Sequence, residues 1–210
     1  MNPSEAPPKP EHSLSIVTRL NEPQQLQEAA RILYDAFKLK VERLELFPHS
    51  PEQACTVIAK SLNPARGLYA LKQGKVVGVM GLEYGSQRFV QITRATLLEA
   101  FGLWGGLWRY LWRRLLRLVE PLKPQVFRIE PLAVSAELRG QGVGSALLTH
   151  ACEQAQALGY PEIIIGVVNS NRGAKRLYER HGFRVFKSTH YGLLTKRAGF
   201  TGGYTLRKTL

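Results

Sequence analysis

The stretch Arg139-Gly140-Gln141-Gly142-Val143-Gly144-Ser145 constrains this chain more than any other part of it. It follows a run that reads as a strand, Val126–Val134 (VFRIEPLAV), in which Pro131 breaks the ladder and marks a bulge or an edge. It leads into a run that reads as a helix, Gly142–Leu158. There Val143, Leu147, Leu148, Ala151, Ala155 and Leu158 share one face, and Gly159 closes the element. Glycine at every second position lets main-chain N–H groups converge without Cβ atoms in the way. The following helix adds the positive end of its dipole, so the turn can cradle an anion. Two nucleotide-binding signatures fail on residues. A P-loop needs Lys before Ser or Thr, and Gly144 precedes Ser145 directly. A dinucleotide fingerprint needs a third glycine where Leu147 stands.

The remaining elements set this unit in a sheet. Leu14–Arg19 reads as a strand, and Pro23 opens an amphipathic helix to about Lys40, with Leu26, Ala29, Ala30, Leu33 and Phe37 on one face. Ser50-Pro51-Glu52 starts a second helix that ends before Asn63-Pro64. Leu68–Lys72 and Lys75–Tyr84 form a hairpin around Gln73-Gly74. Glu162–Val168 is a buried strand, Asn171–Arg180 a helix, and Phe183–His190 and Tyr204–Lys208 are antiparallel neighbours. The fold class expected is α/β, a mixed, mostly antiparallel central sheet flanked by helices. Residues 1–13, with Pro3, Pro7, Pro8 and Pro10, read as a flexible tail, and residues 14–210 as a single domain without internal repeats.

Residues 97–122 look like an insertion into that order. Trp104, Trp108 and Trp112 recur every four residues, with Leu107, Leu111, Leu115 and Val119 on their side of a helix. Arg109, Arg113, Arg114 and Arg117 fall on the other side, and Gly102, Gly105 and Gly106 suggest a bent start. We expect the apolar stripe to pack on the protein's own sheet. The alternative is a peripheral membrane or partner contact through residues 104–119, since Trp and Leu flanked by Arg suit a headgroup boundary.

Charge narrows the partners. Of a net +13, residues 172–210 supply +9, from 10 basic and one acidic group. Such a positive end favours an anionic partner, whether phosphorylated cofactor, nucleic acid or acidic membrane. No nucleic-acid motif is present, and aromatics do not interleave with the bases as a stacking platform requires. Cys55 and Cys152 are too few for a disulfide scaffold, and His12, His49, His150, His181 and His190 lack metal-ligand spacing, so no metal is expected. His181, at a helix end, reads as a capping cation. No apolar run approaches a membrane span and MNPSEAPPKP lacks a signal stretch, so the expected location is the cytoplasm.

Downstream of the glycine turn comes Asn171-x-x-Ala174-x-x-Leu177-Tyr178-x-x-x-Gly182-Phe183. With this second motif the chain resembles the GNAT superfamily of acyl-CoA-dependent N-acetyltransferases. Arg139-x-x-Gly142-x-Gly144 is similar to that family's acetyl-CoA signature, and Leu132-x-Val134 to the strand that enters it. The close resemblance covers about residues 126–190. It implies acetyl-CoA as co-substrate. The pantetheine arm would lie along Leu132, Ala133 and Val134. The pyrophosphate would sit on the amides of Gln141, Gly142, Val143, Gly144 and Ser145, beside Arg139 and Gly140. Asn171 would bond the pantetheine arm near Ala174, and Lys175 or Arg176 would meet a nucleotide phosphate.

The same resemblance makes Tyr178 the residue that protonates the departing thiolate. A thiol pKa near ~8.5 and a phenol pKa near ~10 make that transfer reasonable at close range. Attack needs a neutral amine, and only about one lysine in a thousand is neutral near pH 7, so a base is required. Some family members carry a glutamate where this chain has Gly166, which leaves Glu130 and Glu83 as the candidate bases. The Val134 amide would stabilise the oxyanion. The function expected is transfer of acetyl to a primary amine, either a small molecule, a lysine or a protein N-terminus. The alternatives are a non-catalytic CoA-binding or interaction module on the same fold, and a membrane or nucleic-acid binder. A homodimer is left open. The tryptophan run is expected to form or lid the acceptor site.

Overall fold

A computed structural model describes residues 14–117 and 125–210. The expected N-terminal tail, and Val119 at the end of the tryptophan run, lie outside the described residues. The strands are β1 (Ser15–Val17), β2 (Gly67–Lys72), β3 (Lys75–Glu83), β4 (Phe127–Val134), β5 (Glu162–Val168), β6 (Arg184–His190) and β7 (Gly202–Thr209). The helices are α1 (Pro23–Lys40), α2 (Pro51–Ser61), α3 (Arg94–Arg117), α4 (Val143–Ala157) and α5 (Arg172–Arg180). The strands form one sheet in the order β1-β2-β3-β4-β5-β7-β6. Only β4 and β5 run parallel; every other pair is antiparallel.

Local chemistry explains the element ends. Pro23 opens α1, and Lys38 and Lys40 sit in its last turn against the negative end of the dipole. The chain then makes one wide turn, Val41–Glu45, tied back to α1 by the Tyr34 hydroxyl, which donates to Glu42 Oε1. Ser50 Oγ accepts from the Gln53 amide at 3.2 Å and caps α2.

Two apolar layers cover the sheet. On one face Ala29, Ala30, Leu33, Tyr34, Val57, Ile58 and Leu97 pack against Tyr69, Val79, Phe89 and Ala133. On the other, Leu147, Leu148 and Ala151 of α4 pack against Met80, Leu82, Phe127, Ile129, Ile163 and Ile165, with Tyr178 and Phe183 beside them. Each fully buried large side chain contributes about 1.5–3 kcal/mol, so these layers hold α4 and α5 firmly in place.

Pro131 breaks the ladder as its missing N–H requires. Ile129 lies opposite Leu82 but Leu132 opposite Met80, so β4 carries one residue more than β3 across this step. The extra residue inverts the alternation. Phe127 and Ile129 face α4, and so do Leu132 and Val134, while Ala133 faces α1 and α2.

The expectation for the tryptophan run is reversed. α3 breaks at Gly102 (φ 70°, ψ 179°) and continues to Arg117. Its inner side carries Arg109, Trp112, Arg113 and Leu116, and its outer side Leu103, Trp104, Trp108, Leu111, Arg114 and Leu115. Arg109 is 5% exposed. It donates from Nε to the Leu46 carbonyl at 2.6 Å, from Nη2 to that of Phe47 at 2.6 Å and from Nη1 to that of Gly105 at 2.9 Å. Its guanidinium lies 3.9 Å from the Phe101 ring centre and 4.6 Å from that of Trp108. Trp112 Nε1 donates to the Leu44 carbonyl at 2.7 Å, and Arg113 pairs with Glu45 at 3.2 Å. Leu103, Trp104, Trp108, Leu111 and Leu115 are exposed, Trp104 at 80%. The cause is the irregular segment Leu44–Phe47, which turns main-chain carbonyls toward α3. Buried acceptors demand donors, which guanidinium and indole groups supply and leucine does not.

Candidate active site

β4 and β5 begin as partners and then part. Phe127 faces Ile163, Arg128 faces Ile164 and Ile129 faces Ile165. Pairing stops there, although β4 runs on to Val134 and β5 to Val168. The orientation of the free main chain follows from flanking bonds. The Ser135 N–H donates to the Val77 carbonyl at 2.9 Å, so Ser135 and Ala133 face β3, while Leu132 and Val134 turn their amides and carbonyls into the gap. The Asn169 N–H donates to Gly202 at 2.9 Å, so Val167 faces β7 while Gly166 and Val168 face the gap. Of the three β4 residues expected along the cofactor, Ala133 is therefore not brought to the fork. Its main chain pairs with β3 and its methyl group lies in the α1/α2 core.

The glycine turn closes the end of β4. Gly140 and Gly142 have φ of 79° and 85°, a region that costs other residues about 1–2 kcal/mol. Gly142 precedes the first helical residue of α4 and has no side chain with which to cap it, so the N–H groups of Val143, Gly144 and Ser145 have no side-chain cap. The Gln141 amide is the exception among the expected donors, because it bonds back to the Leu138 carbonyl at 3.4 Å. Arg139 is exposed and donates from Nε to the Val134 carbonyl at 3.2 Å, bridging turn and strand. A Cβ on Gly144 would stand 3.2 Å from Leu177, so the bare residue lets α5 close on α4.

α5 follows β5 directly. Asn171 Oδ1 accepts from the Ala174 N–H at 3.0 Å, so both are engaged in capping this helix. His181 caps the other end, its Nδ1 donating to the Leu177 carbonyl at 2.9 Å. Tyr178 is 5% exposed, with its ring 6.3 Å from that of Phe183. Burial pushes its phenol well above the ordinary value, so the group stays protonated at neutral pH. Lys175 is drawn into an ion pair with Glu179, whereas Arg176 is exposed.

The two candidate carboxylates lie on the α1/α2 side. Glu130 is the first residue past the last β4–β5 pair; its side chain is 40% exposed, with Arg128 Nη1 at 3.6 Å. Glu83 is 4% exposed, opposite Arg128 in the sheet register, with Arg88 Nη1 at 3.7 Å. Gly166 is exposed, and a Cβ built on it meets no atom within 4 Å. Tyr178 thus belongs to the α4-side layer, and the two carboxylates to the opposite face of the sheet.

A wall stands at the end of β5 that the motifs did not announce. Trp112, Leu116, Val168 and Tyr191 pack around Leu44, Ala198 and Phe200. This joins the wide turn Val41–Glu45 to the helical turn Gly192–Ala198. Glu45 lies between Lys40 at 3.0 Å and Arg113 at 3.2 Å. Burial alone would raise its carboxyl, but the two cations hold it at about 2. The one sequence signal for this wall is Arg109, Trp112 and Arg113 sharing a helix face. Among the described residues no cluster of His, Cys, Asp and Glu fits a metal ion, and no helix is long and apolar enough to cross a membrane.

Comparisons with known proteins agree with this geometry. The chain is 37% identical over 92 residues to an uncharacterized N-acetyltransferase of Bacillus subtilis, a match spanning 44% of this chain and 57% of that relative. Among solved structures it is similar to a GCN5-related N-acetyltransferase from Kribbella flavida, with a TM-score of 0.59 and 20% identity over 96% of this chain and all of the other. It is also similar to an IAA acetyltransferase from Bacillus cereus, with a TM-score of 0.52 and 22% identity over 94% of this chain and all of the other. Those two likenesses show the shared fold. The model of the Acetyltransferase (GNAT) family matches residues 27–183, a span that includes the parted strands and the glycine turn, and the chain belongs to that family.

Proposed function

We propose that the protein transfers acetyl from acetyl-CoA to a primary amine by direct attack. The observation that carries this reading is the fork: two parallel strands that pair over three residues and then part beside a helix N-terminus without a side-chain cap. Acetyl-CoA supplies the thioester carbonyl. Leu132 offers its amide and carbonyl, and Val134 its amide, along the gap to a pantetheine arm, as a missing strand would meet them; the Val134 carbonyl is engaged by Arg139. The N–H groups of Val143, Gly144 and Ser145 and the dipole of α4 hold the pyrophosphate. Arg139 and Arg176 add positive charge near it.

Tyr178 keeps its proton at neutral pH and donates it as a hydrogen bond toward the sulfur that leaves. Glu130, at the fork and partly open to water, receives the proton of the incoming ammonium, directly or through water. Glu83 lies deeper, where Arg88 and Arg128 flank it, and supports the charge balance of that face. The Val134 N–H stabilises the negative charge that develops on the carbonyl oxygen. The amine enters between the wide turn Val41–Glu45 and the turn Gly192–Ala198. α3 positions that entrance from behind through Arg109 and Trp112, with no part in lidding it.

The test is acetyl-CoA turnover over a panel of small amines, lysine peptides and free N-termini, with Glu130→Gln and Glu83→Gln beside the native chain. Glu130→Gln should lower kcat more than stability; Glu83→Gln should lower stability more than kcat. No turnover on any amine, together with no calorimetric binding of CoA by folded protein, would defeat the reading.

A further inference from the structure

Among the described residues the outer side of α3 presents an apolar ridge, with Trp108 at its margin leaning on Phe47 and Arg109. Leu103, Trp104, Trp108, Leu111 and Leu115 are all exposed and fall on one side of the helix. We propose that this ridge docks on an anionic lipid bilayer, lying in the headgroup boundary with the helix parallel to the surface.

Charge selects that occupant. Arg114, on the edge of the ridge, is exposed. α3 packs through Trp112 and Leu116 against two turns, and both are cationic outward. Lys38, Arg43, Lys196 and Arg197 are exposed on those turns or at the end of α1 beside them. The acidic groups of the two turns and of the end of α1 are paired, Glu42 and Glu45 within the fold and Asp35 at the surface, and the exposed Glu99 of α3 pairs with Lys60. Glu42 accepts from the Tyr34 hydroxyl, Glu45 is held by Lys40 and Arg113, and Asp35 pairs with Arg31. The surface around the ridge is therefore positive, as an amphipathic element at an acidic membrane requires.

The same charge argues against a second copy. A two-fold contact through the ridge would bring identical cationic turns toward each other. Residues 1–13 are a poor cover, because beyond Met1 they contain no large apolar side chain. The ridge is convex, and it offers tryptophan and leucine without the buried polar contacts that a specific protein interface carries.

The test is sedimentation of the full chain with vesicles of phosphatidylcholine alone and of phosphatidylcholine mixed with phosphatidylglycerol. Binding is expected to the mixed vesicles, to weaken as salt is raised, and to be slight on the neutral ones. The variant Leu103→Gln/Trp104→Gln/Leu111→Gln should bind at least about tenfold more weakly, the loss expected when large side chains no longer insert. Trp104→Gln alone alters a side chain that is 80% exposed, so it tests the ridge even if the triple variant fails to fold. Circular dichroism and CoA calorimetry report folding apart from membrane binding. The proposal falls if anionic vesicles do not bind at low salt, if neutral vesicles bind equally, or if Trp104→Gln binds as the native chain does. A dimer in ultracentrifugation that Trp104→Gln converts to monomer would assign the ridge to self-association instead.

Discussion

The fork and the wall beside it are built from different materials. The fork is main chain: the free amides of Leu132 and Val134, the first turn of α4, and two glycines at positive φ. The wall is side chain: the guanidinium of Arg109, the indole of Trp112 and the Arg113–Glu45–Lys40 ion cluster. A main-chain site accepts few substitutions, because each amide is set by backbone angles that only certain residues adopt. A side-chain site rests on donors from distant segments, and changes of sequence reshape it without touching the sheet. Under the proposed function, one half of the molecule would grip a common donor while the other could be tuned to an acceptor.

Four changes break or sharpen that contrast. Tyr178→Phe keeps the ring in its apolar site and removes only the proton. It should lower kcat by about 10²–10⁴-fold and leave the KM for acetyl-CoA nearly constant, measured by steady-state kinetics. Gly142→Val places a β-branched residue at φ 85°, so the turn must rebuild. CoA binding by calorimetry should weaken by about a hundredfold, equivalent to ~2.7 kcal/mol, with acceptor binding little changed.

Arg109→Met keeps most of the bulk and removes three bonds to carbonyls. It should cost about 2–3 kcal/mol in urea unfolding and raise the acceptor KM without raising that of acetyl-CoA. An equal rise in both would erase the distinction between the two regions. The smallest effect concerns Glu45. Its carboxyl lies at about 2 in the folded chain against an ordinary 4.5, so its stabilisation is present above pH ~5 and is lost as pH falls toward 2. With the side chain 27% exposed, about 1–2 kcal/mol should disappear over that window, and Glu45→Gln should flatten this part of the stability profile.

The same contrast decides what was legible in the sequence. Glycines at alternate positions and Asn171 before a short helix are local signals, so the turn before α4 and the helix α5 followed from them, whereas the strand order did not. Pro131 announced the irregularity in β4, since a residue without an N–H cannot complete a ladder. The fate of single amides was not legible. Ala133 turns to β3 because the neighbouring Ser135 bonds Val77, and Gln141 bonds Leu138; both depend on where the chain bends. α3 misled for a different reason. Periodicity locates two faces of a helix but does not say which one is buried. Burial was decided by Leu44, Leu46 and Phe47, more than sixty positions away, whose carbonyls needed donors.

Gly166 has a further consequence. A side chain there would meet nothing within 4 Å, so β5 leaves open space at this position, the first past the last residue that pairs with β4. Under the proposed function, proton removal and donor grip would then be separable: a carboxylate could be installed at this position, or Glu130 exchanged, without rearranging β4 and β5. Such modularity would give a lineage an evolvable handle on the choice of acceptor.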